Sequence, residues 1–252
     1  HCRLRRQRQM CIRDRESLTL QALIADLDDA AFEKPTQFKS WTINDVFRHL
    51  HFWNKAVMVA TEGDEAFAVF FEDVGAHMMK GGSLPEYEKA YLDGLSGGAL
   101  REAWASLVDE TADAYAALDP SSRVPWAGPS MSARSAISAR QMETWAHGQE
   151  VFDVLGADRE EHDRIRNIVV LGINTFGWTF KVRGETPPDP MPFVSLVSPS
   201  GEVWTYGESQ QSNFIQGDAV EFAQVVTQTR NIGDTSLLSL IHISEPTRPN
   251  FI

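Results

Sequence analysis

Trp41-Thr42-Ile43-Asn44-Asp45-Val46-Phe47-Arg48-His49-Leu50 is the stretch on which the reading of this chain turns. Thr42 is placed to cap a helix, and Asp45 follows three residues on, as in a capping box. The core stripe of that helix is predicted to run Val46, His49, Leu50, Trp53, Val57, which puts an imidazole inside an apolar face. His51 lies two residues further, some 200° around the helix, and is expected at the surface. Asp45, one turn before His49, is a candidate to orient it, although the capping role explains that residue equally well.

A second stretch, Arg140-Gln141-Met142-Glu143-Thr144-Trp145-Ala146-His147-Gly148, repeats the anomaly. It falls within a helix predicted from about Ser132 to Leu155 and stopped by Gly156. Glu143 and His147 are four residues apart and share a face with Ala136, Ala139, Val151 and Val154. An unpaired carboxylate in an apolar stripe is expensive, on the order of several kcal/mol, unless a partner or a metal compensates. Taken alone, this spacing is most simply an acid–imidazole hydrogen bond. Together with His49 it makes two imidazoles and one carboxylate, a set that holds zinc with a position left open and that also suits iron, nickel or manganese.

Outward from these helices the pattern stays helical to about Asp158. Leu20, Leu23, Ile24 and Leu27 mark one amphipathic stripe, and Glu65 to Met79 forms an aromatic segment closed by Gly81-Gly82. Ser83 to Glu86 is a capping box opening a short helix that ends by Gly97-Gly98, and Leu100, Trp104, Leu107 and Val108 belong to a helix reaching about Leu118. Pro120 to Pro129 reads as a turn-rich connection. Beyond Asp158 come a helix through Ile165 to Phe176, the breaker run Pro187-Pro188-Asp189-Pro190, and strands at Phe193–Val197, Glu202–Tyr206 and Asn213–Ile215. A last helix carries Ala219, Phe222, Ala223 and Val226.

Both ends read as foreign. Met10 to Asp14 can be encoded by DNA whose reverse complement, in another frame, encodes Leu240-Ile241-His242; Arg5 to Arg15 and Leu238 to Arg248 resemble the two arms of translated transposase-adapter DNA. The expected organisation is therefore residues 1–15 as an adapter-like segment and 16–158 as a helical bundle. Residues 159–235 form a small α+β unit, incomplete at its end, and 236–252 a second adapter-like segment. The formal charge is −12 overall; residues 1–15 hold six Arg and one Asp, and 236–252 one Glu and one Arg, so the remainder carries −17. That balance argues against a nucleic-acid partner. Cys2 and Cys11 both fall in the first foreign segment, which leaves no native thiol, and a cytoplasmic setting is expected. No apolar run is long enough to span a bilayer.

The two quoted stretches, in this order and with two helices between them, resemble the metal-binding half-sites of the DinB-like superfamily, and in particular its mycothiol-dependent maleylpyruvate isomerase branch. Glu143 to Gly148 is most similar to an actinobacterial group known only as metal-binding. The resemblance implies an α+β protein: a DinB-like four-helix bundle followed by a small sterol-carrier-like α+β domain. It implies a divalent metal, zinc above all, held by His49, Glu143 and His147. It implies an isomerase or S-transferase acting on a small organic substrate, with mycothiol or another low-molecular-weight thiol as cofactor. The alternative is a non-catalytic metal-binding or small-ligand-carrier protein. A nuclease, which the superfamily's name suggests, fits poorly with the acidic charge. Arg140, one turn from Glu143, could hold an anion, but a solvated surface arginine is the simpler reading. His77 is expected to pack at the rim of the core, His162 at the surface, and Trp53 and Trp145 as core anchors.

Overall fold

The computed structural model describes residues 15–239, and the sequence expectations for 1–14 and 240–252 lie outside that range. The protein is of mixed α+β class and divides into two compact units between Asp158 and Arg159.

In the first unit, α1 spans 15–24, α2 Ile43–Ala60, α3 Asp64–Met79, α4 Leu84–Tyr91, α5 Gly97–Ala117 and α6 Ala133–Leu155. Helix α2 is the axis. It packs against α3, α4, α5 and α6, and 14 of its 18 residues are buried. Its start is fixed as predicted, by a capping box in which Thr42 accepts from the Asp45 amide and Asp45 accepts from the Thr42 amide. Leu20, Ile24, Ile43, Val46, Phe47, Leu50, Leu100, Trp104 and Val151 form one apolar cluster, and Phe52, Trp53, Val57, Phe67, Val74, Ala133 and Ala136 a second.

Because α2 is surrounded, most of its polar side chains are buried too, Asp45 and Lys55 being half-buried. His51 is therefore not at the surface, contrary to the sequence expectation: it is 4 % exposed and its Nδ1 has no partner. Turning a residue away from one core face exposes it only where a solvent face exists, and α2 has none. Asn44 is also buried, accepting from the Gly97 amide and donating to Glu33. Gly97 begins α5 at φ 57°, where a Cβ would strike Asp29, so the glycine pair opens α5; α4 has already ended at Tyr91, with the left-handed Gly94 bonded back to the Lys89 carbonyl.

Helix α6 ends where predicted, with Gly156 in the left-handed conformation and Ala157 bonded back to the Phe152 carbonyl. The Pro120–Pro129 connection contains β1 Arg123–Val124, which pairs antiparallel with β2 Met131–Ser132 just beyond it.

The second unit holds α7 Arg166–Lys181, β3 Phe193–Val197, β4 Val203–Tyr206, β5 Phe214–Asp218, α8 Ala219–Val226 and β6 Leu238–Ser239. The sheet order is β4-β3-β5-β6, with β3 antiparallel to β4 and parallel to β5. Val194 and Leu196 point inward between outward-facing neighbours, the period-two alternation of a half-buried strand. Asp218 caps α8 through the Val220 and Glu221 amides. Residues 236–239, assigned from sequence to the foreign tail, contribute β6 and a Ser236 hydrogen bond to Glu221. Among the described residues no helix is long and apolar enough to cross a membrane.

Candidate metal centre

His49 from α2 and Glu143 and His147 from α6 meet at one point. One ligand atom from each, two imidazole nitrogens and a carboxylate oxygen, lies within 4.8 Å of the other two. Glu143 Oε2 is 3.3 Å from His147 Nε2 and 3.6 Å from His49 Nε2. These separations are long for a charge-assisted hydrogen bond, which closes to about 2.7–2.9 Å. They match the spacing of neighbouring ligands around an ion bonded at about 2.1 Å in tetrahedral geometry, roughly 3.4 Å. The donor set and its spacing fit a divalent ion.

Aromatic rings hold the imidazoles in place. Trp41 lies parallel to His147, with centroids 5.7 Å apart and planes 7° apart, and it also touches His49 at 5.2 Å. Phe38 meets His147 edge-on at 5.3 Å. Both rings come from a closed turn before α2: the Thr36 amide donates to the Trp41 carbonyl and the Trp41 amide to that of Phe38. Lys39 and Ser40 complete this turn with φ 51° and 59°, a left-handed backbone that costs non-glycine residues about 1–2 kcal/mol each. The Lys39 ammonium sits 4.9 Å over Phe38 and 5.8 Å over Trp41, which puts a cation beside the aromatic wall.

The partner that orients His49 is Glu88 on α4, which the sequence reading missed. Its Oε1 is 2.8 Å from His49 Nδ1, and the side chain has no exposure. A carboxylate only accepts, so Nδ1 carries the hydrogen and donates. Asp45 instead caps α2 and pairs with Arg48 at 3.1 Å. The signal for Glu88 was present: Leu84, Tyr87, Glu88 and Tyr91 fall at i, i+3, i+4 and i+7, so an acid lies in the apolar stripe of a short helix.

Arg140 is not the surface arginine expected from sequence. It is 1 % exposed, its Nε donates to Asn54 Oδ1 at 3.2 Å and its Nη2 to the Leu50 carbonyl at 3.2 Å. Burial lowers its pKa to about 10, against the attraction of Glu143, Glu88 and Tyr115, so it remains a cation at neutral pH. His77 lies outside the site, against Ser83 and Tyr87, and His162 pairs at 3.7 Å with Glu160. Trp53 and Trp145 are buried core residues.

Without a bound ion, the surroundings of His49 favour its charged form. Burial opposes charge on His49, but Glu88 and Glu143 outweigh it and raise its pKa to about 9. Burial pushes His147 down despite Glu143, and burial pushes His51 to about 4. A raised histidine stabilises the fold fully below its unfolded pKa of about 6.5 and stops doing so as pH rises through 9; a depressed one costs stability as pH falls below 6.5. Metal-free protein is therefore expected to melt highest near pH 6.5 and to lose about 3 kcal/mol between pH 6.5 and 9. Melting curves of chelator-treated and metal-loaded samples across this range check it, since the loaded protein should lack the alkaline decline.

The profile of the family described as "Mycothiol maleylpyruvate isomerase N-terminal domain" matches residues 14–152. The chain belongs to this family. Two uncharacterized proteins of Mycobacterium tuberculosis, one from each of two strains, are 33 % identical to it over 215 residues, covering 85 % of this chain and 82 % of theirs. Crystal structures of the mycothiol-dependent maleylpyruvate isomerase and of a point mutant of it share the fold, with TM-score 0.58, 16 % identity and 88 % of each chain covered. The maleylpyruvate isomerase family match spans both α2 and the helix bearing Glu143 and His147, so the whole triad lies within it.

Proposed function

We propose that this chain is a zinc-dependent enzyme that uses a small thiol, mycothiol or a relative of it, to isomerise or transfer a group on a small organic substrate. The observation that carries the reading is the meeting of His49, Glu143 and His147 at ligand-to-ligand distances in a chain of this family. A solved structure with the same fold is that of a mycothiol-dependent maleylpyruvate isomerase, which supplies the candidate thiol and reaction class. A divalent ion in this site would lower the pKa of a thiol at its open position and hold it ready for attack.

The protein's own residues would do the rest. His49, Glu143 and His147 would hold the ion through three ligands and leave a fourth position for the thiol. Phe38 and Trp41 would exclude water from one side of that position, and Lys39 would favour an anionic ligand there. Two neutral imidazoles and one carboxylate carry less negative charge than a divalent ion carries positive, so the ion would keep an excess that suits a bound anion such as a thiolate.

Protein purified without a metal-affinity tag is expected to contain about one equivalent of metal. After cobalt substitution, its visible spectrum should change when a thiol is added. Absence of metal would overturn the site; cobalt bands that respond to no thiol would overturn the thiol mechanism.

A further inference from the structure

Glu88 has no exposed surface, and only one of its oxygens is satisfied: Oε1 accepts from His49 at 2.8 Å, while Oε2 has no partner. A carboxylate in such a place carries a desolvation penalty that its single hydrogen bond offsets only in part, so helix stability alone does not account for it. Helix α4 is short but closely specified. Ser83 and Glu86 form a capping box at its start, Pro85 fixes its first turn, and Tyr91 packs edge-on against Phe52 at 5.2 Å. Those contacts set the rotation of α4, and that rotation aims Glu88 at the far side of the His49 ring.

We propose that Glu88 is the positioning residue of the metal centre: it fixes His49 with the proton on Nδ1, so that the Nε2 lone pair faces Glu143 and His147. The inference rests on the metal-site reading above. An imidazole can rotate and exchange tautomers, and only one arrangement turns an unprotonated nitrogen to an ion. A carboxylate behind the ring removes the other choices and makes the facing nitrogen more basic. Among the described residues Glu88 faces the Nδ1 side of the ring, whereas Glu143 and His147 lie on the Nε2 side where the ion would sit, and Trp41 and Trp53 touch the ring only through their own rings. Arg140 lies in the electrostatic field of both Glu88 and Glu143.

Two measurements test it. In zinc-loaded wild-type protein, nitrogen-15 NMR of the His49 ring should show a protonated Nδ1 and a metal-bound Nε2. In Glu88→Gln, which keeps the side-chain volume but removes the charge, zinc affinity should fall about 10–100-fold with far-UV circular dichroism unchanged. The proposal is overturned if the wild-type Nδ1 is unprotonated, a reading that stands even should the variant fail to fold. It is equally overturned if the variant binds zinc as tightly as wild type. A wild-type protein that takes up no zinc at all overturns the metal-site reading itself, and this inference falls with it.

Discussion

His147→Ala and Glu143→Ala are each expected to empty the metal site while leaving far-UV circular dichroism helical. Both side chains project from α6 toward His49 and are largely but not wholly buried, with 12 % and 18 % of their surface exposed. Their helix is held elsewhere, by Ala136 and Val151 in the two apolar clusters and by the Gly156 cap. Loss of one ligand of three leaves two, so affinity should drop by more than the roughly 10–100-fold typical of an outer partner such as Glu88. Truncating Glu143 also removes one of the two carboxylates that face His49 and leaves Glu88 as its counter-charge. The metal-free variant should consequently show a shallower alkaline decline in melting temperature, because part of the attraction that raises the His49 pKa is lost. His51→Ala is the control. It is buried on α2 but not part of the triad, so metal content should stay at the wild-type level even if stability changes. Metal lost from His51→Ala and kept in His147→Ala would mean the wrong histidines had been assigned to the ion.

What the sequence made legible follows from the kind of signal each residue gives. His49, Glu143 and His147 stood out because a polar group at the 3.6-residue spacing of apolar neighbours is anomalous within its own helix. Capping residues at Thr42, Ser83 and Gly156 were legible for the same reason: their partners lie three or four residues away. Glu88 gave the same local anomaly, but in a helix of eight residues flanked by other acids it was easily passed over. Arg140 and His51 were misplaced because their surroundings are non-local. Arg140 is solvated or buried according to whether α2 lies across its face, and its partners Leu50 and Asn54 are 90 and 86 residues away. Phe38 could not be placed from pattern at all, since it sits in a turn whose shape depends on left-handed residues that are not glycine. The pairing of β1 with β2 was likewise beyond reach, for strands of two residues carry no period.

Arg140→Met should be among the most destabilising single changes in the first unit, by about 3–5 kcal/mol. Methionine fills most of the volume, so the cost is electrostatic rather than a cavity. The Leu50 carbonyl and Asn54 Oδ1 lose their donor, and Glu88 and Glu143 are left without the cation that interacts with both. For a unit of this size such a loss corresponds to a fall in melting temperature of about 10–15 °C. A surface arginine, as the sequence alone suggested, would change stability by less than about 0.5 kcal/mol, so a single denaturation curve separates the two placements. Arg140→Lys should recover only part of the loss, because a single ammonium cannot reach the Asn54 oxygen and the Leu50 carbonyl with the fixed fork of a guanidinium. Zinc should stabilise Arg140→Met more than it stabilises wild type, since the ion restores positive charge beside Glu143. Equal stabilisation of both proteins by zinc would show that Arg140 and the metal site do not share an electrostatic field, and would confine the arginine to a structural role.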